Sequence, residues 1–170
     1  MVLLDTILKR WPLVALVVSA AALAIVHAAQ SFGGLAPCHL CLEQRQVYWW
    51  AMGVAAVAVA VSLTRFRAPA PRIASLVLAG IFAYGAYLAG FHAGAEWKWW
   101  PAPETCSSTG PVGMAAVQAL MAGGGAPTPK CDVAAWRMFG LSMAGYNFLA
   151  SLALVGLSLA AALRKGERPA

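Results

Sequence analysis

Charge is the scarcest feature of this sequence. Acidic and basic residues together form 11% of its 170 residues, where a soluble domain carries about 25%. Hydrophobic residues form 61%, so the expected class is a membrane protein whose apolar surface is covered by lipid rather than by a large water-excluding core. No internal repeat and no low-complexity tract is present, and the length asks for no more than one domain, 1–170. The chain also lacks the neighbours that several cysteine chemistries need. Leu42, not histidine, follows Cys38-His39-Leu40-Cys41, which removes covalent haem attachment. Cys106 and Cys131 stand too far apart to supply the second close pair of a four-cysteine zinc site, so no metal is expected.

What is present is four apolar runs, each long enough to cross a hydrocarbon layer of about 30 Å as a helix. They cover about 11–30, 42–63, 73–92 and 142–163. A cleaved signal peptide is the competing reading of the first run, with Lys9 and Arg10 as its basic start and Val26-His27-Ala28 as a small-residue cleavage site. That run exceeds the 7–15 residues usual for the apolar part of such peptides, so an uncleaved helix is expected. The expected fold is therefore all-α: an antiparallel bundle of four transmembrane helices.

Basic residues set the orientation. Lys9, Arg10, Arg65, Arg67, Arg72, Arg164, Lys165 and Arg168 fall at one set of helix ends, and with Asp5 and Glu167 they account for the whole net charge of +6. Arg45, Lys98, Lys130 and Arg137 on the other side are balanced by Glu43, Glu96, Glu104 and Asp132. The positive-inside rule then places both termini and the short middle connection in the cytoplasm. Basic residues split among helix ends read as a topology signal, not as a nucleic-acid surface. All four cysteines fall outside, the oxidising side of a bacterial inner membrane.

Two periplasmic loops result, about 31–41 and 93–141. The second is long for a structureless connection, which points to function. Trp97, Trp99 and Trp100 begin it as an interfacial anchor. Met114, Val117, Leu120 and Met121 follow at helical spacing with almost no charge between them, the pattern of a short helix lying on the membrane surface; plain loop packing is the alternative.

Cys38 and Cys41 open the second apolar run, with Arg45 four residues beyond Cys41 and on the same helical face. A thiol there feels the positive helix end, worth about 0.3–1 kcal/mol, and the guanidinium. At ~4 Å and an effective dielectric of ~20 the latter supplies about 4 kcal/mol before desolvation, so Arg45 is expected to outweigh the dipole. Both favour a thiolate, the reactive form in redox exchange. Two static disulfides are the plain alternative, but a bridge between Cys38 and Cys41 closes too small a loop to add much stability.

Cys-x-x-Cys-x-x-x-Arg at the start of the second of four helices, a cysteine pair in the second outer loop, and Trp136-Arg137-Met138-Phe139-Gly140-Leu141-Ser142-Met143 after the last cysteine resemble the bacterial disulfide bond formation protein B (DsbB) family over nearly the whole chain. Gln44 stands where many members have glutamate, and Ala144 where proline often follows Ser-Met. The resemblance implies a protein-disulfide:quinone oxidoreductase with Cys38, Cys41, Cys106 and Cys131 as its catalytic residues. A Cys106–Cys131 disulfide would oxidise a DsbA-like periplasmic thiol oxidase. Cys131 would then attack Cys38, and Cys41 as thiolate beside Arg45 would form a charge-transfer adduct with ubiquinone or menaquinone. His92, at the outer end of the third helix, lies where the family has a histidine near the quinone. His27 and His92 could instead serve a membrane haem, but that leaves the cysteines unexplained; His39 could tune the Cys38–Cys41 potential or simply face water.

Overall fold

The computed structural model describes residues 2–64, 70–103, 106 and 129–164. Its described elements are α1 (Val2–Lys9), α2 (Trp11–Gly33), α3 (His39–Ser62), α4 (Ala70–Glu96), a hairpin of β1 (Arg137–Met138) and β2 (Leu141–Ser142), and α5 (Met143–Leu163). The protein is helical, as its long apolar runs led one to expect. Three of the helices, α2, α4 from Pro71, and α5, are long and apolar enough to cross a membrane. Helix α3 has the length, but Glu43, Gln44, Arg45 and Gln46 dilute its first two turns. The surface helix expected around Met114–Met121 lies outside the described residues.

Each boundary has a local cause. Pro12 occupies the first turn of α2, where its missing N–H is no loss. Gly34 ends that helix in the left-handed region at φ 64°, its N–H turned back to the Ala29 carbonyl. Helix α3 starts three residues before the apolar run, because Cys38 caps it: the Cys38 Sγ accepts from the Cys41 N–H at 3.3 Å. The expected first loop of 31–41 is thereby shortened. Ser142 caps α5 in the same way, accepting from the Gly145 N–H at 3.1 Å. Before it, Phe139 and Gly140 both take positive φ in a two-residue turn, the backbone that tight hairpins require. Neither α1 nor the hairpin is foreseen by hydropathy, since both are too short to leave a periodic signal.

Helix α4 packs along α5 and α3, and α3 along α2. The neighbours run antiparallel: Gln44 of α3 meets His92 of α4, Arg72 of α4 meets the Ala162 carbonyl of α5, and Arg45 of α3 meets Gln30 of α2. Close approach depends on small residues, as it does wherever helices lack a water-driven reason to associate. A Cβ on Gly85 would stand 3.0 Å from Val47 and one on Gly90 3.1 Å from Phe148. Trp11 crosses the bundle to donate its indole N–H to the buried Ser158 hydroxyl at 3.0 Å. At the far end Asp5 pairs with Arg164 at 2.7 Å, tying α1 to the end of α5.

Trp100 folds back on α4, donating to the Phe91 carbonyl at 2.8 Å and lying over Gly94, where any Cβ would collide with its ring. Gly94→Ala should therefore cost about 1–3 kcal/mol through overpacking and lower the melting temperature in detergent. Gly53, with nothing within 4 Å of an added Cβ, should accept alanine without loss. Equal melting temperatures for the two variants would show that Trp100 is not held against the helix.

Candidate redox site

The cap on α3 decides where the thiols sit. Cys38 lies just outside the helix and Cys41 in its first turn, with their sulfurs 2.7 Å apart. Cys106 and Cys131 form a disulfide with Cα atoms 5.3 Å apart. Both pairs belong to one buried cluster: Cys38, Leu40, Cys106 and Cys131, with Cys41, Phe91 and Ala102 against them. Residues separated by more than ninety positions thus meet at one end of the bundle.

The two free thiols differ in acidity. Cys41, ahead of the apolar span, is lowered to about 7, first by the hydrogen bond from the Cys38 thiol and, against that, raised by burial. Cys38 is pushed up, because it is the donor in that bond and because it is buried. Arg45 also lowers Cys41, but as the smallest of the contributions. The hydrogen bond from Cys38, which the sequence did not reveal, is the larger influence. Arg45 is turned toward α2, its Nη1 donating to Gln30 Oε1 at 2.6 Å and its Nη2 reaching the Val26 carbonyl at 3.5 Å. Arg45 and Cys41 line the same cavity.

His92 is buried, with Nε2 3.7 Å from Cys38 Sγ and 3.6 Å from Glu96 Oε1. Its Nδ1 meets Gln44 Nε2 at 2.9 Å. His27 and His39 are exposed. Cys38, Cys41 and His92 offer three donor atoms within 4.8 Å of one another, a set that a Cys38–Cys41 disulfide would remove.

Beside the sulfurs opens a cavity of about 440 Å³, with mostly apolar walls and of the size that takes a small organic molecule. Cys38, Cys41, Arg45, Tyr48, His92 and Glu96 line it along α3 and α4. A polar chain runs along this wall: Tyr48 donates to Asn147 Oδ1 at 2.6 Å, and Asn147 Nδ2 to Gln44 Oε1 at 2.6 Å. Gln44, Tyr48, Glu96 and Asn147 were not among the expected site residues. Their signal was present, since polar side chains in an apolar span are rare and usually functional, and Gln44 and Tyr48 are one turn apart. Only the neighbouring helices reveal which of them meet.

A family profile described as disulfide bond formation protein DsbB matches residues 8–161. No curated protein and no solved structure matches the chain.

With Cys41 held near 7 and Cys38 above the usual thiol range, the reduced protein should alkylate selectively. Iodoacetamide should label Cys41 with a rate that rises through about pH 7, below the free-thiol value of about 8.5, and should label Cys38 only at higher pH. Peptide mass spectrometry of the labelled protein measures both. Labelling of Cys38 first would reverse the assignment.

Proposed function

The chain belongs to the DsbB family, a family of membrane proteins of disulfide bond formation, and from that premise we propose that it is a protein-disulfide:quinone oxidoreductase of the bacterial inner membrane. In this reading residues 1–170 are one domain, and α2, α3, α4 and α5 all span the bilayer. Both termini face the cytoplasm and the cysteines face the periplasm. The observation that carries the reading is the meeting of both cysteine pairs in one buried cluster beside an apolar cavity.

The steps are thiol–disulfide exchanges, whose direction follows relative potentials and access. A DsbA-like periplasmic dithiol attacks Cys106 and releases Cys131 as thiolate, and the mixed disulfide resolves to leave the partner oxidised. Cys131 attacks Cys38 and frees Cys41; closure of Cys106 on Cys131 leaves Cys38 and Cys41 reduced. Two electrons then leave this pair for a quinone substrate, ubiquinone or menaquinone, as the Cys38–Cys41 disulfide reforms. Cys106 and Cys131 are both buried. Arg45 and His92 line the cavity in which the quinone is read to bind. Arg45 presents a guanidinium to the quinone oxygens, and His92 an imidazole next to Cys38. A membrane protein with static disulfides would need no cavity at the sulfurs.

Removing the resolving thiol tests the order of events. Cys131→Ser should accumulate a mixed disulfide between Cys106 and the dithiol partner, and wild-type protein with the same partner should bleach quinone absorbance. A trapped species through Cys38 would make the order wrong, and no quinone reduction by the wild type would remove the reading.

Sidedness is tested separately. Reporter fusions at Arg67 and after Arg168 should report the cytoplasm and one at Gly124 the periplasm; a cytoplasmic Gly124 would put the cysteines in a reducing compartment.

A further inference from the structure

The polar chain along the cavity runs in one direction, which assigns a tautomer to His92. Tyr48 donates to Asn147 Oδ1 at 2.6 Å, so Asn147 presents its amide nitrogen to Gln44 Oε1, also at 2.6 Å. Gln44 therefore presents Nε2, which bonds the Leu40 carbonyl at 3.2 Å and His92 Nδ1 at 2.9 Å. An amide nitrogen only donates, so Nδ1 accepts and the neutral ring carries its proton on Nε2. That nitrogen faces Cys38 Sγ at 3.7 Å and Glu96 Oε1 at 3.6 Å. With its proton already in place, His92 can donate toward both but has no lone pair at Nε2 to take a proton from the thiol.

Glu96 brings a carboxyl group to this wall. It is only 8% exposed, it lines the cavity with Cys38 and Cys41, and its Oε2 is buried with no hydrogen-bond partner among the described residues. A bare carboxylate oxygen in an apolar cavity carries a large desolvation penalty, whereas a protonated one does not. The charged groups around it do not remove that penalty. Arg137 of β1 spends a hydrogen bond at 3.3 Å on the Glu96 main-chain carbonyl, though its charge and the Ser142 hydroxyl also act on the carboxyl. Cys41 of α3 opposes a negative charge there. Arg45 is bonded to α2, and Tyr48, Tyr146 and Lys130 complete the titratable lining.

Proton balance gives this carboxyl a task. Oxidising a Cys38 thiol and a Cys41 thiolate to a disulfide releases two electrons and one proton. Reducing a quinone to a quinol takes two electrons and two protons. The second proton is the one Cys41 lost to solvent beforehand. We propose that Glu96 is the acid of the quinone site: its Oε2 holds a proton in the reduced protein, gives it to a quinone oxygen as the disulfide forms, and regains one from the periplasmic side. This rests on the quinone reading above. General acid catalysis of this kind contributes about 100-fold or more.

The test uses the full chain in nanodiscs, with E96Q and E96D. Infrared spectra of the reduced, quinone-free protein near neutral pH should contain a protonated-carboxyl carbonyl band that E96Q loses. In E96Q, quinone reduction should slow about 100-fold and fall further as pH rises, because the proton must then come from water. Thiol exchange at Cys106–Cys131 should slow far less, and E96D should recover part of the quinone step. An absent band, or an E96Q enzyme with wild-type quinone kinetics and pH profile, would overturn the proposal while leaving the oxidoreductase reading intact. A wild type that reduces no quinone would overturn both, and the band would still report the state of Glu96.

Discussion

The contact on which this architecture depends is the hydrogen bond from the Cys41 amide to the Cys38 sulfur at 3.3 Å. It makes Cys38 the cap of α3 and so sets the rotation of everything that follows. With the helix starting at His39, Cys41 falls in the first turn, where main-chain N–H groups are unpaired and favour negative charge. Gln44 then faces α4, Arg45 faces α2 and Tyr48 faces α5, each through a hydrogen bond. A cap displaced by one residue would turn these side chains by about 100°. The reactive sulfur is thus also a structural group, and forming a Cys38–Cys41 disulfide alters the cap that positions the site.

Polar side chains inside an apolar bundle are costly to leave unpaired, so most of those here are used in pairs. Trp11 bonds Ser158, and Tyr48, Asn147, Gln44 and His92 form a continuous chain. Such a chain holds three helices in one register, since a shift of any of them leaves a buried donor or acceptor without a partner. Glu96 Oε2, next to the thiols, departs from this economy. The cavity beside the thiols therefore has polar groups from α3, α4 and α5 set among mostly apolar walls.

The two cysteine pairs are held in different ways. Cys38 and Cys41 are held by a helix terminus and by His92, on elements that pack along their length. Cys106 and Cys131 are closed by their own bond and by contact with Cys38 and Leu40, carried on chain outside the helices.

Four apolar runs, their order, the one-sided basic residues and the Cys-x-x-Cys at a helix start were legible in the sequence, because each is local. Span length follows from the thickness of the hydrocarbon layer, and the backbone there has little choice but to be helical. Family membership was legible for the same reason, through the spacing of Cys38, Cys41 and Arg45. The meeting of Gln44 with His92 and Asn147, the bonding of Arg45 to Gln30, the joining of both cysteine pairs and the bare oxygen of Glu96 were decided only by the tertiary structure. These depend on how each helix is rotated about its axis. In helices apolar nearly all the way round, hydropathy marks no preferred face, so the rotation is set by caps, small-residue contacts and hydrogen bonds between chain segments far apart in sequence.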